Sequence, residues 1–202
     1  DVVRRIQLPQ KAWLTLAEAG TFSAFIPGDR RAAVWTVLHL AKTQVGPLPL
    51  GKVAEPDIQF RPQTMVEQTE SDFRTTGLTT GIHPVLYTRS ELNKRGVFTA
   101  DSLKQTRNGQ WVKVAGMVIS RQRPETAKGF MFISLEDETG FINIIVNPGL
   151  FERYGGTLIR APFLLVEGPV TCEQNVWNVK ARRFEKLSLP GEKSFPKGYN
   201  YH

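Results

Sequence analysis

The stretch Trp111-Val-Lys-Val-Ala-Gly-Met-Val-Ile119 decides how the chain is read. Its apolar residues recur at every second position, Val112, Val114, Gly116 and Val118, which is the period of a half-buried strand. A glycine sits in its middle, where a strongly coiled strand bends. Working forward, Arg121-Gln-Arg-Pro-Glu-Thr-Ala-Lys-Gly129 is a polar loop, and residues 130–137 form a second strand. Glu136-Asp-Glu-Thr-Gly140 is a tight turn, and residues 141–146 alternate as a third strand, so the two make a hairpin. Pro148-Gly149 ends the sheet, and residues 150–154 fit a short plugging helix. Residues 161–171 and 176–187 then form a last hairpin across residues 172–175.

Five strands, a helix after the third and a glycine inside the first match the order of an OB-fold barrel. Working backward, Trp13, Leu14, Leu16 and Ala17 suggest one helix. A second follows Asp29, placed as N-cap, with Ala33, Val34, Val37, Leu38 and Ala41 on one face. Pro47, Pro49, Pro56 and Pro62 mark an extended linker, and a helix is expected over 65–74. Thr75-Thr-Gly-Leu-Thr-Thr-Gly-Ile-His-Pro84 is too rich in glycine and β-branched residues to continue it. The expected fold is therefore mainly β with an α-helical N-terminal segment. Its parts are a helical hairpin (residues 1–45), a linker and structured crossover (46–106), a five-stranded OB-fold domain (107–188) and a C-terminal tail (189–202).

The 202 residues are 41% apolar and 22% charged, enough for two small cores. No apolar run approaches the roughly 20 residues of a membrane helix. Arg4 and Arg5 are followed by no apolar stretch, so neither a signal peptide nor a membrane partner is expected and the cytoplasm is the expected location. Cys172 is the single cysteine and His39, His83 and His202 are the only histidines, which leaves too few ligands for a usual zinc site. No metal, cofactor or catalytic residue is assigned. The net charge of +7 favours an anionic partner, most simply nucleic acid.

An OB barrel holds single strands on the face of its second and third strands, between flanking loops. Arg121, Arg123 and Lys128 on the first loop are candidate phosphate contacts. Phe130 and Phe132 share one face of the second strand, and Met131, Ile133 and Leu135 share the other. One set fills the core and the other meets solvent; outward phenylalanines would stack on bases. Asn143 and Asn147 are candidates for hydrogen bonds to bases. Trp177 with Lys180, Arg182 and Arg183 suits stacking and backbone contacts, although Lys180 and Arg182 lie opposite in parity to Trp177 and Arg183. Trp111 and Trp177 fit either core or rim.

Several segments together carry a resemblance. Val114-Ala-Gly-Met-Val-Ile-Ser-Arg-Gln-Arg-Pro-Glu-Thr-Ala-Lys-Gly129, followed by Phe132-Ile-Ser-Leu-Glu-Asp-Glu-Thr-Gly140, resembles the C-terminal OB domain of bacterial error-prone DNA polymerases, the C-family enzymes of damage-induced mutagenesis. Asp72-Phe-Arg-Thr-Thr-Gly-Leu-Thr-Thr-Gly-Ile-His-Pro84, Val179-Lys-Ala-Arg-Arg183, and Leu16-Ala-Glu-Ala-Gly-Thr-Phe22 with Asp29-Arg-Arg31 extend the likeness over nearly the whole chain. The replicative α-subunit is a weaker match. The resemblance implies a C-terminal fragment: the end of a helix-hairpin-helix region, a crossover and an OB domain. Its catalytic carboxylates would lie in a palm domain far upstream. The implied partners are single-stranded or template-primer DNA and partner subunits of a translesion complex. The tail lacks a clamp-binding peptide of the Gln-x-x-Leu-Phe type, so contact with a sliding clamp would be indirect. Gly20-Thr21-Phe22 lacks the paired glycines that present N–H groups to phosphate, so the hairpin is not expected to grip DNA alone. The alternatives are a protein-docking module and an RNA-binding OB domain, which the crossover motif argues against.

Overall fold

The computed structural model describes residues 5–6, 8–26, 28–43, 60–189, 195 and 198–201. The expected linker over 46–62 and much of the tail therefore lie outside the described residues. The chain divides into two compact units, Asp1–Thr79 and Thr80–His202.

The first unit contains α1 (Gln10–Glu18), α2 (Arg30–Thr43) and α3 (Met65–Thr76). Trp13, Ala17, Phe22, Ala33 and Val37 are its buried apolar cluster, at the helical spacing visible in the sequence. Asp29 Oδ1 accepts the N–H groups of Arg31 and Ala32 at 2.9 and 3.2 Å, capping α2, while its Oδ2 accepts Gln63 N–H at 2.7 Å. Thr64 and Glu67 form a reciprocal capping box that starts α3. Two arginines tie α2 to α3: Arg30 reaches Asp72 at 2.6 Å and Arg31 reaches Glu67 at 2.9 Å. The first half of the expected crossover thus packs with the helices.

The second unit is the barrel. It opens with a 3-10 turn (Pro84–Thr88), α4 (Arg89–Lys94), β1 (Val97–Phe98) and α5 (Ala100–Leu103). Then come β2 (Trp111–Gln122), β3 (Met131–Asp137), β4 (Gly140–Val146), α6 (Pro148–Arg160), β5 (Phe163–Glu173), β6 (Val176–Lys180) and β7 (Arg183–Lys186). The closed circuit runs β2–β3–β4–β6–β5 and back to β2. β2 pairs along its first half with β5, from Trp111↔Pro169 to Met117↔Phe163, and along its second half with β3. Gly116 makes this possible: a Cβ there would lie 2.7 Å from the Glu136 carbonyl oxygen and 2.9 Å from Leu135 Cβ. Gly168 is tighter still, with the Lys180 carbonyl oxygen 2.1 Å from where its Cβ would stand.

Val112, Val114, Val118, Ile133, Leu135, Ile142, Ile144, Val166 and Val179 fill the barrel, and Leu158 of α6 plugs one end. Full burial of each such side chain contributes roughly 1.5–3 kcal/mol. Asn147 caps α6 by accepting Leu150 N–H at 2.8 Å, so it is a helix cap rather than a base contact. The helix extends to Arg160, well beyond the expected residue 154, running through Gly155 and Gly156 despite their low helix propensity. β6 and β7 share the place of the expected single last strand, separated at Ala181-Arg182. Part of the tail also joins the sheet: β8 (Tyr199–Tyr201) runs parallel to the end of β2.

The acidic turn after β3 is an arginine clamp. Arg89, only 8% exposed, donates to both Glu138 oxygens and to Asp137 Oδ2 at 3.4 Å. Asp137 also accepts Ala100 N–H at 2.8 Å, Thr139 N–H at 2.7 Å and Gly140 N–H at 3.1 Å. Its carboxylate is thereby satisfied by protein donors. His83, beside this clamp, caps the 3-10 turn by accepting Val85 N–H at Nδ1, and burial pushes its imidazole below the ordinary range. Among the described residues no three His, Cys, Asp or Glu side chains gather as metal ligands, and no helix is long and apolar enough to cross a membrane.

Candidate nucleic-acid interface

Strand alternation settles which face of the β3–β4 hairpin is outside. Met131, Ile133 and Leu135 point inward with Ile142, Ile144 and Val146. Phe130, Phe132, Phe141 and Asn143 therefore face solvent, and Phe141 is 67% exposed. The registers place the outer residues in three rows across the sheet. One row is Gln122, Phe132, Ile145 and Lys180; the next is Ser120, Ser134, Asn143 and Asn178; the third is Met117, Glu136 and Phe141. Phe132 and Phe141 thus sit four residues apart along neighbouring strands, about 14 Å at strand rise. Two exposed rings at that separation can each hold a separate planar base, with amide and hydroxyl side chains between them.

Charge lies around this face. Lys180 is exposed at the β6 edge, and Arg123 and Lys128 are exposed on the β2–β3 loop. The Arg123 guanidinium stacks 4.4 Å over the Phe151 ring, which fixes a side chain that would otherwise sweep freely. Glu136 is the one acid in the three rows; burial and the neighbouring Asp137 push its carboxyl up from the ordinary range. The positive charge bordering this face lies on the Lys180 and Arg123 side.

Three of the expected contacts move. Arg121 is 1% exposed and donates to the carbonyl oxygens of Leu158 at 2.5 Å and Ala161 at 2.6 Å, both at the end of α6. Burial brings its guanidinium down to about 10, still charged at neutral pH. It anchors the plugging helix and cannot reach a phosphate outside. The cause is a register shift between Val118 and Ser120, which reverses the strand's parity: Val118 faces the core, Ser120 faces out and Arg121 faces in again. Trp177 has the parity of buried Val179 and packs against the barrel core, so it leaves the face. Arg183 stands opposite Glu167 on the β5–β7 part of the wall, away from Lys180. Arg182 is exposed at the break between β6 and β7. Sequence reasoning missed Phe141, Ser134 and Asn178. The run Ile142, Ile144, Val146 held the signal for Phe141, because inward residues at even positions force 141 and 143 outward.

This architecture defines a class. Residues 112–187 match the family model described as an OB-fold nucleic acid binding domain. The likeness then extends to particular proteins: over nearly its whole length the chain is homologous to a segment of the error-prone DNA polymerases. It is 41% identical over 191 residues to the error-prone DNA polymerase of Anaeromyxobacter sp. (strain K), covering 94% of this chain and 17% of that protein. With error-prone DNA polymerase 2 of Rhizobium meliloti (strain 1021) the identity is 36% over 200 residues, covering 93% and 18%. With the error-prone DNA polymerase of Cutibacterium acnes (strain DSM 16379 / KPA171202) it is 37% over 190 residues, covering 94% and 17%. The chain spans less than one fifth of the length of each of these relatives.

Proposed function

We propose that the outer face of β2, β3, β4 and β6 holds single-stranded DNA, and that the chain is a non-catalytic template-holding region of an error-prone DNA polymerase acting in translesion synthesis after DNA damage. The observation that carries this reading is the pair of exposed rings, Phe132 and Phe141, with Ser134, Asn143 and Asn178 in the row between them, on a sheet face bordered by Lys180, Arg123 and Lys128. Solvent-facing phenylalanines cost free energy when left in water, and bases are flat partners that cover them. The neighbouring cations meet phosphates without demanding a sequence. In this reading residues 1–45 are the end of a helix-hairpin-helix region, 46–106 the linker and crossover, and 107–188 the OB domain. Nucleotidyl transfer is attributed to other parts of such an enzyme, and clamp contact to another subunit.

The test is fluorescence anisotropy with a labelled single strand at low and moderate salt, beside a duplex control. Expected is micromolar binding that prefers the single strand. Phe132→Ala and Phe141→Ala should each weaken it by roughly 1–3 kcal/mol at unchanged salt dependence. Arg123→Ala with Lys128→Ala should flatten the salt dependence by about 0.7 log units per lost phosphate contact. Absence of binding at low salt overturns the proposal in favour of a protein-docking face for partner subunits.

A further inference from the structure

The barrel carries a second concentration of positive charge that the sheet face does not use. The second half of α6 and the end of β7 border a cleft of about 420 Å³ containing Arg153, Tyr154, Thr157, Arg160 and Lys186. No acidic residue lines it. Arg153 stacks 5.4 Å from the Tyr154 ring, and among the described residues neither Arg153 nor Arg160 has a carboxylate partner. They stand seven residues apart, two turns along one helix face, about 10.5 Å. Like charges so placed repel one another until an anion neutralises them.

The end of a helix is ordinarily a poor place for an anion, because its last carbonyl groups carry negative partial charge. Here that obstacle is removed from below. Arg121 donates to the carbonyl oxygens of Leu158 and Ala161 from inside the barrel, occupying acceptors at the helix end and adding a fourth cation beneath the cleft. Gly156 borders open space: a Cβ there would meet nothing within 4 Å, so a side chain introduced at this position has room beside the cleft.

We propose that this cleft binds a phosphate group, either a backbone phosphodiester of the strand that leaves the sheet face or free phosphate. The first source rests on the single-strand reading above; the second does not. Arg153 and Arg160 would neutralise the phosphate, with Lys186 across the cleft and the Thr157 hydroxyl as a neutral donor.

The experiment follows backbone amide resonances of the isotope-labelled 202-residue chain during titration with oligothymidylate of about 20 nucleotides, long enough to outrun one OB site, and separately with inorganic pyrophosphate. Expected are shifts at Thr157, Arg160 and Lys186 with either ligand. Gly156→Glu places a carboxylate among the cations while replacing a helix-interior glycine with a better helix former, so the fold is kept. It should abolish those shifts and leave the oligonucleotide shifts at Phe132 and Asn143 intact. Arg160→Gln should weaken them at least fivefold. Shifts with pyrophosphate alone assign the cleft to a free phosphate-bearing anion rather than to the strand. Shifts at the cleft with none at Phe132 and Asn143 sink the sheet-face reading and keep this one. No shift at the cleft with either ligand, or shifts that survive Gly156→Glu, overturn the proposal.

Discussion

Within each of the two units of this chain, different forces hold the elements in place. In the barrel the buried apolar side chains from Ala100 to Phe184 form one cluster, and a single arginine, Arg89, secures the charged turn. In the helical unit the buried cluster is Trp13, Ala17, Phe22, Ala33 and Val37, and the links between helices are half-exposed arginine–carboxylate pairs: Arg30 with Asp72, Arg31 with Glu67, and Arg74 with Glu18 at 3.3 Å. Apolar burial is not screened by salt, whereas exposed pairs are screened and each contributes little. A unit that must hold a fixed face needs the first kind of glue; a helical unit with few buried side chains can be trimmed by its solvent. Amide exchange should therefore be slower in β2–β5 than in α1–α3, and added salt should widen the gap.

The largest expected effect on this contrast comes from Gly168→Val. With the Lys180 carbonyl 2.1 Å from the Cβ position, the barrel cannot close. The loss should exceed about 4 kcal/mol, read as vanished barrel resonances while the α1–α3 resonances persist. Retention of both sets would mean the backbone yields there, and the contrast in rigidity would fall.

Arg89→Met comes next. It strands Asp137 and Glu138 without their cation, Asp137 being fully buried, and should cost roughly 3–5 kcal/mol in urea unfolding of the barrel. Arg30→Ala, the matching change in the helical unit, should cost about 1 kcal/mol, since both partners there keep access to water. Equal costs would show that the two clamps are energetically alike.

The smallest effect is in pH. His83 has a lowered value in the folded barrel, so on acidification the unfolded chain takes up its proton first. The barrel should lose stability as pH falls from about 6.5, the ordinary imidazole value, towards the lower folded value. Glu138, held below the ordinary carboxylate range by Arg89, offsets its burial only while ionised, so its share is present above about 4.3 and lost as pH falls through its folded value. His83→Gln should remove the first decline and leave the second.

Much of the barrel is legible in the sequence. The period-two runs, Gly116 and the turn at residues 136–140 identify the strands and their order, and Ile142, Ile144 and Val146 contain enough information to place Phe141 outside. The outward set on the second strand was not legible, because Phe132 and Ile133 are equally apolar and only the opposing wall decides between them. Arg121 was misleading for a sharper reason: a single irregularity between Val118 and Ser120 reverses parity, and nothing in Val118-Ile-Ser-Arg121 announces it. The break at Ala181-Arg182, which turns β7 from β4's side to β5, is likewise a property of closure rather than of local sequence.

That closure bears on how the chain is made. β2 must find β3 nearby and β5 some fifty residues later, and the parallel β4–β6 pairing waits for residues still further on. Contacts between distant segments slow folding, because the loops between them must be ordered before the pairing repays the loss. During synthesis from the N-terminus, β2 and the β3–β4 hairpin leave the ribosome with their Val, Ile and Leu faces uncovered until β5 and β6 follow. For that interval the nascent segment is an open sheet with an uncovered apolar face, the kind of species prone to association, and the polar, charge-bearing loop at residues 123–129 flanks its strands.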